Sequence, residues 1–240
     1  MASDHVALPG ACRTLFVTGT DTGVGKTLVS ATVLHALARH HRRVVGMKPV
    51  ASGLVPHAGT PGGWASEDVL QLRAASTLAV APELDNPVAL PDPLSPHLAA
   101  RRAGRRVTVA DLLAPARSLQ AQADALVVEG AGGWRVPVND DELLSDLARA
   151  LAAPVLLVVG LRLGCLNHAM LTAEAIRADG LELAGWVGNV VDPHMACLVE
   201  NLDTLRQRLP APCWGVLPWQ AGLPEPPALA ARLDLAPFLH

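Results

Sequence analysis

A glycine-rich segment that ends in Gly25-Lys26-Thr27 combines the residue types needed to bind a triphosphate. It follows a short apolar run at residues 14–18 and precedes a helical pattern. Glycines let the backbone curl so that several N–H groups point at one anion, and a helix N-terminus adds partial positive charge. In such a loop the lysine reaches the terminal phosphates and the threonine hydroxyl reaches Mg²⁺. The segment therefore predicts a phosphate-binding loop for a nucleotide.

The spacing of this loop differs from the common motif G-x-x-x-x-G-K. The position of the first glycine in that motif is occupied by Thr20 in this chain, and the nearest glycine, Gly19, lies one position earlier. The simpler alternative is a glycine-rich turn between a strand and a helix, without a ligand. The Gly-Lys-Thr sequence directly between a buried strand and an amphipathic helix favours the phosphate loop.

Composition predicts one domain that spans residues 1–240, with half of the residues hydrophobic. The net charge of −3 gives no general attraction to nucleic acid or to anionic membranes. Residues 1–12 lack the features of a signal peptide, and the longest apolar run, 150–161, is too short to span a bilayer. We therefore expect a cytoplasmic protein. Its cysteines are scattered without a Cys-x-x-Cys pair, which argues against a metal cage or a disulfide framework.

Apolar runs of strand length alternate with helical patterns along the chain, which is typical of an α/β fold. We predict a P-loop NTPase-like, mostly parallel sheet with helices on both faces, because the runs are rich in valine and leucine. The predicted strands are residues 14–18, 44–50, 125–129, 154–160, 183–189 and 213–217.

Helices are predicted between these strands. The clearest are residue 26 to about 40, residues 166–178, and a helix that begins after a capping box formed by Thr108 and Asp111. A long connection rich in proline and glycine, 56–96, contains a predicted short helix at 68–75, and connections of this length are often functional. Residues 224–227 are predicted to form a surface turn before a last short helix.

Polar side chains at the predicted strand ends indicate where the site lies, since ligands of open α/β sheets bind beyond the carboxyl ends of the strands. Lys48 ends an otherwise apolar strand, where an unpaired ammonium is costly unless a negative group faces it. Glu129 ends another strand, directly before small residues and glycines. With Thr27 and Asp68 it could supply the oxygen ligands that Mg²⁺ prefers.

Several longer segments together resemble one enzyme family. They are Val17-Thr18-Gly19-Thr20-Asp21-Thr22, Val24-Gly25-Lys26-Thr27, Lys48-Pro49-Val50-Ala51-Ser52-Gly53, Val128-Glu129-Gly130-Ala131-Gly132-Gly133-Trp134, Leu163-Gly164-Cys165-Leu166-Asn167-His168-Ala169 and Ala184-Gly185-Trp186-Val187. With these segments, spread over nearly its whole length, the chain resembles the dethiobiotin synthetases, ATP-dependent ligases of biotin synthesis. The phosphate loop of that family shows the same shifted glycine.

The resemblance implies a homodimeric ligase that makes dethiobiotin from 7,8-diaminononanoate, CO₂ and MgATP. One amine is carboxylated to a carbamate, ATP phosphorylates the carbamate, and the second amine closes the ring and expels phosphate. Positioning and charge stabilisation supply most of the catalysis in such a transfer. By resemblance Lys48, Lys26 and Thr22 are the catalytic residues.

The resemblance also implies binding roles. The residues expected to bind the nucleotide and its metal are Gly23, Val24, Gly25, Lys26, Thr27, Leu28, Asp68, Glu129, Gly130, Ala131, Gly132, Asn189, Val190, Leu217, Pro218 and Trp219, with Mg²⁺ held by Thr27, Asp68 and Glu129. Those expected to bind the substrate are Ser52, Leu163, Gly164, Cys165 and Asn167. Asn189 would bind the base, and the helix start at 164–167 would bind the substrate carboxylate across a dimer interface.

The sequence departs from the family at Gly23, where well-known relatives carry an acidic residue, and the segment Gly188-Asn189-Val190 leaves ATP or another triphosphate open. Two other functions share this loop. A regulatory partitioning-type ATPase would carry an additional lysine early in the loop, where this chain has Thr20-Asp21-Thr22. An amide-forming synthetase of cobalamin biosynthesis would add a glutamine-hydrolysing domain, for which 240 residues leave no room.

Overall fold

The structure, a computed structural model, describes residues 12–60, 62–220, 222 and 225–239. The strands are β1 (Arg13–Gly19), β2 (Val44–Met47), β3 (Val50–Ser52), β4 (Val55–Pro56), β5 (Trp64–Ala65), β6 (Val88–Leu90), β7 (Ala125–Glu129), β8 (Val155–Leu161), β9 (Leu183–Val190) and β10 (Cys213–Leu217). The helices are α1 (Lys26–Leu37), α2 (Glu67–Ala75), α3 (Pro82–Asp85), α4 (Pro96–Arg102), α5 (Val109–Gln122), α6 (Leu144–Leu151), α7 (Cys165–Ala178), α8 (Leu198–Arg208), α9 (Pro226–Leu229) and α10 (Ala236–Leu239), with a 3₁₀ turn at Ala230–Arg232.

Some of the expectations fall on residues outside the described ranges. The absence of a signal peptide concerns residues 1–11, and the turn predicted at 224–227 includes residue 224. Among the described residues, none of the helices combines the length and the apolar character needed to cross a membrane.

The central sheet has six strands in the order β10-β9-β8-β1-β7-β2, and every neighbouring pair is parallel. This confirms the predicted mostly parallel α/β sheet. Because the strands are parallel, their carboxyl ends meet at one edge, where Val17 pairs with Glu129 and Gly19 with Val158. That edge carries the phosphate loop.

Each face of the central sheet carries its own hydrophobic core. Side chains alternate between the faces along a strand: Leu15 and Val17 pack with α1, α2 and the C-terminal helices, whereas Phe16 packs with α5, α6, α7 and α8. Both faces are therefore covered, which explains why the strand sequences are apolar runs and not alternating patterns.

One predicted strand, 44–50, is wrong as a single element. The main-sheet strand β2 ends at Met47, and the chain enters a second, two-stranded sheet in which β3 pairs with β6 in parallel. Pro49 has no N–H to donate to a ladder, and the Lys48 N–H donates to the carbonyl of Asp85 at 2.8 Å. The chain thus leaves the sheet at Lys48, which places this lysine at the site edge.

The predicted helices are confirmed with small shifts at their ends. The first ends at Leu37, three residues short of the prediction, and α7 begins one residue earlier than predicted. The capping box at α5 is present, since the Asp111 N–H donates to Thr108 Oγ1 at 3.2 Å and the Asp111 carboxylate accepts from the Thr108 N–H at 2.9 Å. Within the long connection, β4 and β5 form an antiparallel pair that precedes α2.

Candidate active site

A cavity of about 780 Å³ lies beyond the carboxyl ends of β1, β2 and β7. Its lining residues are Thr22, Gly23, Gly25, Lys26, Thr27, Lys48, Val50, Ser52, Asp68, Pro93, Leu94, Ser95, Pro96, Glu129, Ala131, Gly132 and Val136. The structure thus brings together the predicted phosphate-loop, lysine, acidic and serine residues from distant parts of the sequence. The volume falls within the range of ligand sites in proteins.

The phosphate loop connects β1 to α1 along one side of this cavity. Gly23 and Gly25 have φ angles of 73° and 88°, which only glycine adopts readily. Gly25 directly precedes the first residue of α1, Lys26, so the free N–H groups of the helix start face the same side as the loop. This arrangement is suited to binding phosphate.

A charged cluster lies at the floor of the cavity, where Lys48 contacts two carboxylates. Its Nζ lies 2.5 Å from Glu129 Oε1 and 2.8 Å from Asp68 Oδ2. Lys48 is 4% exposed and Glu129 is fully buried. The sequence required a negative partner for this lysine, and in the ligand-free protein these carboxylates provide it.

The electrostatics of the cluster favour the charged forms of Lys48 and Asp68. Burial alone would lower the pKa of Lys48, but the negative charges of Glu129 and Asp68 outweigh burial and raise it. Burial would likewise raise the pKa of Asp68, and the Lys48 charge lowers it below its ordinary value. The site therefore holds a permanent buried cation beside the phosphate loop.

Glu129 retains capacity for a metal. Its Oε1 accepts hydrogen bonds from Lys48 and, at 2.9 Å, from Thr27 Oγ1, while Oε2 is buried without a hydrogen-bond partner among the described residues. A buried carboxylate oxygen without a partner is costly. A hydroxyl and two carboxylates beside a phosphate site form a donor set that fits Mg²⁺.

Lys26 is the most perturbed base of the loop. Its Nζ donates to the Asp21 carbonyl at 3.0 Å. Its pKa is lowered to about 8, because burial disfavours the charged form and the nearby Lys48 repels it. Unlike Lys48, it lacks a close carboxylate partner within the described residues, so a bound phosphate would be its natural counterion.

This shift predicts how the protein responds to pH. Above pH 8 the Lys26 amine of the ligand-free protein loses its proton. For the ATP-dependent reaction that the resemblance implies, we therefore expect kcat/KM for ATP to fall as the pH rises through about 8. By contrast, kcat at saturating ATP should fall less, since bound phosphate favours the charged lysine. Steady-state kinetics over this pH range test the expectation, and a flat kcat/KM profile would contradict it.

Thermal unfolding offers a second measurement of the same shift. The folded pKa of Lys26, about 8, lies below the ordinary value of 10.5, so between these values the unfolded chain binds more protons than the folded one. This residue should therefore contribute an increase in the stability of the ligand-free protein as the pH rises through that window.

Asn189, the second-last residue of β9, contacts the main chain of the phosphate loop through its side chain. Its Nδ2 donates to the carbonyl of Val24 at 3.0 Å, and the side chain is 6% exposed. The sequence placed Asn189 at a strand end near the nucleotide but gave no sign of this hydrogen bond, because its partner is a main-chain carbonyl 165 residues away.

Comparison with known proteins gives one family model and several close relatives of the same name. A family model described as an AAA domain matches residues 13–227. An ATP-dependent dethiobiotin synthetase BioD from Xylella fastidiosa (strain 9a5c) is 54% identical over 91% of this chain and 95% of its own length. A protein of the same name from Pseudomonas aeruginosa (strain UCBPP-PA14) is 54% identical over 93% and 96%. This chain belongs to the dethiobiotin synthetase family.

The fold of this dethiobiotin synthetase family member is shared more widely. A ParA family ATPase from Chlorobium tepidum TLS superposes with a TM-score of 0.54 at 13% sequence identity, covering 88% of this chain and 85% of that one. This likeness concerns the fold alone and carries no functional argument for a partitioning ATPase.

The residues that dethiobiotin synthetases are expected to use for the substrate carboxylate lie outside the cavity lining. Gly164 has a φ angle of 96° and precedes α7. Leu163 is 95% exposed, Asn167 is exposed, and the Cys165 side chain is buried. In a single chain this helix start faces solvent, so it does not complete the cavity of its own subunit.

The expected base-binding residues lie at another strand end. Leu217 is fully buried at the end of β10, Pro218 is partly buried and Trp219 is 49% exposed. Val190, beside Asn189, is partly buried. None of these residues lines the described cavity, so they remain candidates for a base that extends beyond the phosphate loop.

Two features of this dethiobiotin synthetase site were missed from the sequence. One is the wall at residues 93–96, whose only signal was the proline-rich connection. The other is Asp21: its Oδ1 accepts from the Thr22 N–H at 2.7 Å, and its Oδ2 from Arg162 at 2.6 Å. The second contact links the phosphate loop to the segment before α7.

Proposed function

We propose that this protein catalyses the Mg²⁺- and ATP-dependent closure of the ureido ring of dethiobiotin from 7,8-diaminononanoate and CO₂. The observation that carries the proposal is the cluster formed by buried Lys48, buried Glu129 and partly exposed Asp68, which shares one cavity with the phosphate loop. A cation fixed beside a triphosphate site suits phosphoryl transfer to a carbamate, because charge moves onto the transferred group and the leaving phosphate.

The residues divide between the two ends of the reaction. Lys26 and the loop N–H groups would bind the β- and γ-phosphates, and Lys48 would approach the γ-phosphate from the opposite side. Thr27, Asp68 and Glu129 would hold Mg²⁺, which when bound offsets part of the triphosphate charge. The carboxylates would then exchange part of their contact with Lys48 for the metal, which leaves the ammonium available to the reacting phosphate.

The diamine would lie between the phosphate loop, which carries Thr22, and the cavity wall that carries Ser52. Ser52 and Thr22 both line the cavity, and their hydroxyl groups can orient an amine or a carbamate. One amine adds to CO₂ and loses a proton, and the carbamate oxygen attacks the γ-phosphorus and displaces ADP. The second amine then attacks the carbonyl carbon, loses a proton and expels phosphate. The protein's role is to align these groups and exclude competing water.

The test of this function is phosphate release with MgATP and bicarbonate, with and without 7,8-diaminononanoate, and identification of the product by mass. Release that depends on the diamine, with dethiobiotin as product, is the expected result. ATP hydrolysis that is indifferent to the diamine would contradict the proposal. In that case Gly23, which replaces an acidic residue of relatives, is the first position to restore.

The assembly we propose is a homodimer located in the cytoplasm, where ATP is available. The exposed start of α7 supports the dimer, since a carboxylate site that faces solvent in one chain can serve the cavity of its partner. Leu163, Leu171 and Val199 are exposed hydrophobic residues of this region and of α8. We expect twice the mass of the 25.0 kDa chain by light scattering. Leu171→Glu should shift the protein toward monomer, and a monomeric wild type would exclude the arrangement.

A further inference from the structure

Val24 is the residue of the phosphate loop that packs against the central sheet. Its side chain is 1% exposed and lies between the glycine that ends β1 and a glycine one residue before the end of the neighbouring strand β8. A Cβ on Gly19 of β1 would lie 2.6 Å from Val24 Cγ2, and a Cβ on Gly160 of β8 would lie 2.7 Å from Val24 Cγ1. Real Cβ atoms do not approach so closely, so the position of Val24 depends on glycine at both places.

The backbone of the same residue is held by a third strand. Asn189 of β9 donates from Nδ2 to the Val24 carbonyl at 3.0 Å. The next residue, Gly25, has no side chain, and a Cβ there would collide with this amide nitrogen. The asparagine amide therefore occupies the space directly under the turn that precedes α1.

We propose that Asn189 is a positioning residue of the phosphate loop, which acts by holding the Val24 carbonyl so that the loop N–H groups stay directed at the phosphates. The hydrogen bond uses one of two N–H donors of the amide, so the other donor and the carbonyl oxygen remain for a nucleotide base. One side chain would then connect the base end of the site to the phosphate end. The inference rests on the proposed function only in taking MgATP as the ligand.

This role differs from base recognition in what it predicts for a ligand without a base. A residue that reads only the base has no effect on inorganic tripolyphosphate. A residue that positions the loop affects tripolyphosphate and ATP alike, because both use the loop N–H groups. The size of the effect should correspond to one neutral hydrogen bond, roughly a fivefold change in an equilibrium constant.

The experiment compares two variants with a matched control. Asn189→Leu keeps an uncharged side chain of similar size and removes the donor, whereas Asn189→Ala removes the side chain. Asn201→Ala is the control, since Asn201 on α8 also donates to a main-chain carbonyl, that of Cys197 at 2.7 Å, away from the cavity. The readouts are hydrogen exchange of the ligand-free loop and the affinity for magnesium tripolyphosphate and MgATP.

We expect exchange at residues 22–28 to be about fivefold faster in both Asn189 variants, with the central sheet unchanged. Tripolyphosphate should lose affinity by a similar factor, and ATP should lose at least as much. Unchanged loop exchange in Asn189→Leu would overturn the proposal, as would a loss of affinity for ATP alone. Because exchange is measured without substrate or turnover, this result is independent of whether the diamine reaction itself is confirmed.

Discussion

Lys48→Ala should reduce kcat for dethiobiotin formation by roughly 10²- to 10³-fold, the usual effect of removing one fixed group that stabilises transition-state charge. The lysine is buried and lines the same cavity as the phosphate loop, where we propose that the γ-phosphate binds. Its removal should leave ATP binding largely intact, since Lys26 and the loop N–H groups remain. Measurement of kcat and of the ATP dissociation constant separates the two effects.

The same substitution also changes the ligand-free protein. Without Lys48, the fully buried Glu129 loses its cation, and breaking a buried pair costs about 3–5 kcal/mol. The kinetics must therefore be measured well below the unfolding temperature. Lys48→Arg, which keeps the charge, is the matched control and should retain more stability than Lys48→Ala. Normal turnover in a folded Lys48→Ala protein would refute the catalytic assignment.

Glu129→Gln is the second substitution with a large expected effect. It preserves the size of the side chain and removes the charge that would hold Mg²⁺. We expect the Mg²⁺ concentration for half-maximal turnover to rise on the order of tenfold or more, because even groups that only support metal ligands contribute factors of 10–100 in affinity. A magnesium titration at fixed ATP measures this shift.

Two comparisons make the glutamate result specific. Glu200→Gln, at an exposed position on α8, removes the same charge far from the cavity and should leave the titration unchanged. In Glu129→Gln, Lys48 keeps Asp68 as a partner at 2.8 Å, so the loss of stability should be smaller than in Lys48→Ala. A titration that matches wild type would remove Glu129 from the set of ligands.

The sequence predicted the central sheet well because strands covered on both faces must be apolar throughout. The predicted strands 125–129 and 213–217 have the same bounds as β7 and β10. The helical patterns that alternate with the strands indicated a parallel sheet. The break at Lys48 was missed because valine, glycine and methionine continue the apolar pattern up to a proline that cannot pair. Periodicity reports which residues are buried and does not report which sheet a strand joins.

The candidate site was predictable to the extent that strand ends are predictable. Lys48 and Glu129 were identified as a buried charge and a carboxylate at two strand ends. In the structure, Lys48 Nζ lies 2.5 Å from Glu129 Oε1. The contacts of Asp21 with Arg162 and of Asn189 with Val24 could not be anticipated, since each joins residues that lie far apart in the chain. Such contacts depend on three-dimensional register, for which a single sequence holds no local signal.

The cavity is built from two sheets, because one of its walls comes from the two-stranded sheet formed by β3 and β6. The wall with Val50, Ser52 and residues 93–96 belongs to this small layer and its connection, whereas the phosphate loop and Glu129 belong to the central sheet. Under the proposed function, we expect substitutions in the small layer to change which amine is accepted, with little effect on the residues that bind ATP. During evolution, the nucleotide-binding part on the central sheet can be kept while the wall on the small sheet changes. The reaction and the range of substrates can then diversify separately.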